Sequence, residues 1–266
     1  MTDSGWKVVM DGDGLTISGD TFSLTTNGAD PRSLDTVVSE LQGVARGTYG
    51  QYCGLSRAIE AVGERWGMLI VRDLLVSAKS TSELAKGLPG VPENLLSMRL
   101  REMGYCGIVE KAGTSDTSGN PQYKLTRYGR ELEGPLLAMG RWGSAMLNDP
   151  RPEDIITEDS MMVAMRAMFI ADAAAGRSAS YELHFGDIVI NAVIEDGHIE
   201  TGRGRLPGAV MIAPGPYLKD MVTRRMTVAE AMATGTVTVT GGAAVMEEFV
   251  SMFGLPDLEA PRPSRD

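Results

Sequence analysis

Leu88-Pro-Gly-Val-Pro-Glu-Asn-Leu-Leu-Ser-Met-Arg-Leu-Arg-Glu-Met103 is the stretch whose reading decides the fold. Pro92 suits the first turn of a helix, where its missing N–H is not needed and its fixed φ is already helical. Leu96, Leu100 and Met103 recur at i, i+4 and i+7, which predicts a buried stripe. The opposite face carries Asn94, Ser97, Met98 and Arg101, with Glu93 and Arg99 on its flanks. Short polar and guanidinium groups of this kind can reach base edges and phosphates in a major groove.

The neighbouring segments extend the pattern. Ser82-Glu-Leu-Ala-Lys-Gly-Leu88 reads as a short helix with Ser82 as its N-cap, and Pro89-Gly90 supplies a turn. Gly107–Ala112 and Pro121–Leu125 read as strands around the polar loop Gly113–Asn120, and Thr126 opens another helix. Upstream, Gln51–Val62 and Arg65–Val76 read as helices interrupted at Gly63, the second with an apolar stripe of Trp66, Leu69, Ile70 and Leu74. The order helix, turn, helix, strand, loop, strand, helix is that of a winged helix-turn-helix.

Tyr52-Cys-Gly-Leu-Ser-Arg-Ala-Ile-Glu-Ala-Val-Gly-Glu-Arg-Trp66, Leu69–Leu75, Leu88–Glu102 and Tyr123-Lys-Leu-Thr-Arg-Tyr-Gly-Arg130 resemble the HxlR-type winged-helix transcriptional regulators. The resemblance implies a bacterial, homodimeric DNA-binding regulator. Its reading residues would be Asn94, Ser97, Met98, Arg99 and Arg101, with Lys111, Asn120, Lys124 and Arg127 around the wing. Some regulators of this type carry a redox-responsive thiol at the position of Cys53. A sensing thiolate needs nearby positive charge, which Arg57 one turn on could supply. The alternative, that Cys53 packs at a dimer helix as a small hydrophobe, stays open and is favoured. Cys106, just before the first wing strand, is expected to be buried.

Composition bounds the rest. The 266 residues suffice for two ordinary domains. The net charge of −10 argues against nucleic acid until its distribution is read. Residues 1–50 carry 3 basic and 7 acidic side chains, residues 51–150 carry 12 and 11, and residues 151–266 carry 10 and 17. The acid therefore lies outside the proposed DNA-binding segment. That segment is close to neutral, so affinity per half-site should be modest. Two cysteines and two histidines, His184 and His198, make neither a disulfide framework nor a metal site. No phosphate loop, nucleophile elbow or Rossmann fingerprint occurs, and no cofactor or enzymatic activity is expected. No transmembrane run and no secretory signal is visible, so the expected location is the cytoplasm.

Four segments are expected. Residues 1–46 form a β-rich N-terminal extension, a three-stranded meander followed by a short helix over Leu34–Leu41. Residues 47–148 form the winged-helix and dimerisation domain, whose last helix runs from Thr126 to about Leu147 with a kink at Pro135. After a Pro-rich linker, residues 155–255 form an α+β layer of five strands and packed helices: a helix over Ser160–Ala174, strands from Tyr181, Ile188, Ile199, Ala209 and Thr236, and a closing helix Ala243–Phe253. Residues 256–266 are a polar, Pro-rich tail expected to be disordered.

Tyr181-Glu-Leu-His-Phe185, Glu195-Asp-Gly-His-Ile199, Met226–Gly241 and the final helix resemble a sterol-carrier-protein domain. Gly241-Gly242 departs from that pattern, in which an acidic residue commonly follows the final Gly. Ten of the 17 methionines lie in this part. The expected ligand lining is Met161, Met165, Met168, Phe169, Phe185, Met211, Met221, Met226, Phe249 and Phe253, around a hydrophobic small-molecule effector. The second reading of the same methionines is ordinary core.

Overall fold

The structure is a computed structural model. It describes residues 7–11, 14–19, 22–26, 48–114, 120–147 and 154–256. The helix expected over Leu34–Leu41, most of the linker and the tail beyond residue 256 lie outside the described residues. The chain opens with β1 (Lys7–Asp11), β2 (Gly14–Gly19) and β3 (Phe22–Thr26), an antiparallel meander as the alternation predicted.

The next unit comprises α1 (Gly54–Val62), α2 (Gly67–Val76), β4 (Lys79–Ser80), α3 (Thr81–Gly87), α4 (Glu93–Tyr105), β5 (Val109–Thr114), β6 (Pro121–Leu125), α5 (Arg127–Arg130) and α6 (Glu133–Gly143). Its strands form a small antiparallel sheet in the order β4-β6-β5. The core joins Ile70, Val71, Leu74 and Leu75 of α2 to Leu84, Leu88, Leu96, Leu100 and Met103, with Ile108 and Leu125 beneath the sheet. Removing this much apolar side chain from water is what holds three short helices together.

Several local expectations shift. Ser80, not Ser82, caps α3: its hydroxyl accepts from the Glu83 N–H while the Glu83 carboxylate accepts from the Ser80 N–H, a reciprocal capping box. Pro92 sits one residue earlier than expected, as the extended N-cap of α4. Leu69 is exposed, because the buried face of α2 rotates to include Val71 and Leu75. The single helix from Thr126 divides at Glu131–Leu132 into α5 and α6. Pro135 then falls in the first turn of α6, where no intrahelical N–H bond is lost, so it starts a helix instead of kinking one.

The C-terminal unit begins with α7 (Glu158–Met168), capped by a Thr157–Ser160 box, and continues as β7 (Ser178–Phe185), β8 (Ile188–Glu195), β9 (His198–Arg203), β10 (Val210–Ala213), α8 (Leu218–Val222), α9 (Val228–Ala233), β11 (Thr238–Val239) and α10 (Ala243–Ser251). The five strands lie in the order β11-β10-β7-β8-β9, with β10 parallel to β7 and the other pairs antiparallel. Asp196 and Gly197 both adopt positive φ, 43° and 76°, as a tight hairpin turn between β8 and β9 requires. α7 is shorter than expected: beyond Met168 the chain turns extended, and Phe169 bridges to Phe253.

α7 faces two ways. Met162, Met165 and Met168 enter the C-terminal core, while Val163 completes the core of the preceding unit. The helix is tied to α6 by the Arg166–Glu133 ion pair at 2.8 Å and by the Arg141 guanidinium donating to the Ala167 carbonyl at 3.2 Å.

Candidate nucleic-acid interface

α4 is fixed at both ends. It starts at Pro92, whose φ of −65° suits the entry, and its carbonyl accepts from Leu96 N–H at 3.0 Å. It ends in a Schellman turn: Ile108 N–H donates to the Met103 carbonyl at 2.9 Å and Gly107 N–H to that of Gly104 at 3.0 Å. Gly107 has φ 67°, the left-handed geometry that a glycine adopts without steric cost. Between these ends Leu96, Leu100 and Met103 are essentially inaccessible to solvent, which turns the other side of the helix outward.

That outward side presents Asn94, Met98 and Arg101 as exposed residues, with Ser97 half-exposed between them. Arg99 differs. Its guanidinium is largely covered and lies 2.7 Å from Glu102 and 2.9 Å from Glu64, so two carboxylates already occupy the fork expected to face DNA. Spacing alone could not separate Arg99 from Arg101, because one of the two acids that hold Arg99, Glu64, lies 35 residues away in sequence.

The wing strands place Lys111 and Asn120 in solvent at the two sides of the loop, whose residues 115–119 lie outside the described set. Lys124 is exposed but pairs with Glu110 across the strands at 3.1 Å, while Arg127 is exposed at the start of α5. Lys86, exposed in the last turn of α3, is a further cation that the sequence reading passed over. Its signal was available, since the capping box at Ser80 fixes the helix phase.

Cys53 is exposed at the N-cap of α1, and its thiol is lowered from the ordinary value by hydrogen bonding with the backbone of Ser56 and Leu55. The positive charge expected from Arg57 goes elsewhere, into an ion pair with Glu60 at 2.7 Å. Cys106 is half-buried instead of fully buried, packed against the Leu100 core.

Most of the expected ligand lining is packed core. Met165, Met221, Phe249 and Phe253 are almost wholly buried. Phe249 lies 5.0 Å from Tyr181 and 4.7 Å from Phe253, and Phe169 lies 5.8 Å from Phe253, centroid to centroid. Interlocked rings and adaptable thioethers pack against one another in this interior. Met161 and Phe185 are half-buried at its edge. Met211 is registered with Glu182 of β7, on the sheet face away from the core. A cavity of about 280 Å³ opens beside this core, between Met221, Arg224, Met226, Val228, Glu247 and Val250. Of the expected residues only Met221 and Met226 line it. Among the described residues no cluster of His, Cys, Asp or Glu could hold a metal ion, and no helix is long and apolar enough to cross a membrane.

Comparison with known proteins places this interface in context. The profile of the HxlR-like helix-turn-helix family matches residues 61–151. An uncharacterized HTH-type transcriptional regulator of Mycobacterium tuberculosis is 36% identical over 99 residues, 37% of this chain; the match spans only 61% of that relative's length. A counterpart from Synechocystis is 30% identical over 98 residues, 37% of this chain and 73% of the relative. A crystal structure of the HTH-type regulator YtcD has 29% identity, covering 35% of this chain and 96% of that one with a TM-score of 0.33. On the strength of the matching profile and of relatives covered over most of their length, the chain belongs to the HxlR-like helix-turn-helix family.

Proposed function

We propose that the protein is a transcriptional regulator that binds double-stranded DNA as a homodimer, over a near-palindromic operator. One observation carries the reading. α4 buries Leu96, Leu100 and Met103 and turns Asn94, Ser97, Met98 and Arg101 outward. Arg101 suits a guanine edge or a phosphate, Asn94 an adenine, and Met98 a thymine methyl. Lys111, Asn120, Lys124 and Arg127 would lie along the backbone beside the wing. The apolar surface left over supports dimerisation: Tyr52, Leu55 and Ile59 of the α1 region, Met139 and Trp142 of α6, and Met146 and Leu147 just beyond it are all exposed. Two copies double a patch that is only modestly charged in one, which suits a protein whose net charge is negative.

A hydrophobic effector would act from the sterol-carrier-like C-terminal unit. The 280 Å³ cavity is its candidate seat, since its floor is Met221, Met226, Val228 and Val250. The effector changes DNA affinity only so far as it prefers one dimer state over the other. Selection from a random duplex library, followed by titration of the enriched sequence at fixed salt, tests DNA binding. Enrichment of a two-fold-symmetric site supports it; recovery of unselected sequence alone removes it.

A second reading makes Cys53 the sensor. The exposed thiol with its lowered proton affinity favours it. Diamide should then weaken DNA binding by the wild type and leave Cys53→Ser unchanged. An equal response from both proteins would assign the sensing to another group.

A further inference from the structure

Between the two cores runs a chain of alternating charges. Asp159, in the first turn of α7, lies 2.8 Å from Lys79 Nζ through one carboxylate oxygen and meets Arg203 of β9 through the other. Glu158 also reaches Arg203, at 3.4 Å. Lys79 and Asp159 are nearly excluded from water, at 7% and 13% side-chain exposure, whereas Glu158 and Arg203 reach the surface. Lys79 also donates to the Ser77 hydroxyl at 3.1 Å, and the buried Asp73 lies near enough to feel the charges of both Lys79 and Asp159 without bonding to either.

The position of Lys79 gives the arrangement its meaning. β4 is two residues long, and the residue after Lys79 is Ser80, the cap of α3. From α3 the chain passes through one tight turn, closed by Val91 N–H on the Leu88 carbonyl, into α4. A buried ammonium deprived of its counter-charge must regain water or a partner. The shortest way out moves β4, and with it the start of the helix-turn-helix.

We infer that Asp159 is a positioning residue for the DNA-reading helix: acting through Lys79 and the Ser80 cap, it lets the C-terminal unit set the pose of α4. The carboxylate is shared between a cation of the winged-helix unit and one of the C-terminal sheet. Any displacement of β9 or of the first turn of α7 therefore alters the hold on Lys79. This rests on the reading of α4 as the DNA-contacting helix, and the test separates the two.

The full-length chain is compared as wild type, Asp159→Asn, Asp159→Glu, Lys79→Met and the double variant Lys79→Met/Asp159→Asn. Amide exchange over residues 80–105 and affinity for a selected duplex are both measured. Asp159→Asn should exchange faster across 80–105 and bind DNA about ten-fold more weakly, since it strands a buried cation. Asp159→Glu should recover part of both, and the double variant most of both, because the ammonium that Asp159→Asn strands is no longer there. Exchange in 80–105 that matches wild type in Asp159→Asn overturns the inference, as does a double variant as impaired as Asp159→Asn. Should Asp159→Asn fail to fold, the double variant and Asp159→Glu decide the same question. If exchange responds as expected but the wild type selects no duplex, the DNA-binding reading fails while the coupling stands.

Discussion

Arg99 Nη2 lies 2.9 Å from the Glu64 carboxylate, so the helix proposed to enter DNA is fastened to the bend between α1 and α2 by one of its own arginines. Arg101, two residues on, is exposed. Substituting each in turn should separate two roles. Arg99→Ala should lower stability by about 1 kcal/mol, since it releases Glu102 as well as Glu64. Arg101→Ala should leave the unfolding midpoint unchanged and cost about 1–3 kcal/mol of DNA binding. Thermal melts beside DNA titrations give the answer. A melt for Arg99→Ala that overlays wild type would mean that the Glu64 tether contributes nothing.

Leu100 is 1% exposed at the centre of the winged-helix core. Leu100→Ala should destabilise the protein by about 2–5 kcal/mol, the cost of lost burial plus the void left behind. Denaturant unfolding measures it, with the midpoint moving and the slope preserved.

Gly129 belongs to α5, and a Cβ built there would stand 2.1 Å from the Ile108 carbonyl oxygen. The backbone has to shift to admit a methyl group, because that oxygen also accepts from Thr126 N–H at 3.0 Å. Gly129→Ala is therefore expected to cost about 1–3 kcal/mol although it removes no contact. Alanine tolerated here without loss in a melt would mean that α5 does not press on the Gly107–Ile108 turn.

Asp73 is nearly inaccessible, and one of its carboxylate oxygens has no hydrogen-bond partner. Burial pushes its pKa up; Arg72, bonded to the other oxygen at 2.7 Å, opposes that shift without cancelling it. The folded protein thus holds this proton more tightly than the unfolded chain. Stability from this group falls as pH rises from the ordinary carboxylate value through the raised one. Asp73→Asn lacks that titration and should gain stability relative to wild type as pH rises from the ordinary carboxylate value through the raised one. Melts across that range check it, and parallel curves for the two proteins would rule it out.

Much of the winged helix could be read from spacing, because its decisive contacts are local. The i, i+4, i+7 stripe of Leu96, Leu100 and Met103 names its own buried face, and the Pro121–Leu125 strand is bounded by its flanking turn residues. Contacts between distant segments were not legible. Nothing near Arg99 announces Glu64, and nothing near Lys79 announces Asp159. The methionines were ambiguous for a related reason. Their flexibility suits an irregular cavity or a well-filled core equally well, and the packing of Tyr181, Phe249 and Phe253 against them is not written in their spacing. Pro135 was misread because one proline serves both to begin a helix and to bend one.

Because α7 gives Val163 to one interior and Met162, Met165 and Met168 to the other, neither half is finished without it. A fragment ending at Leu147 would bare the apolar seat of Val163 and leave the Lys79 ammonium unmatched. One beginning after Met168 would open the second interior along its length. In this chain the appended unit has become part of the foundation, so heating should melt both halves in a single transition.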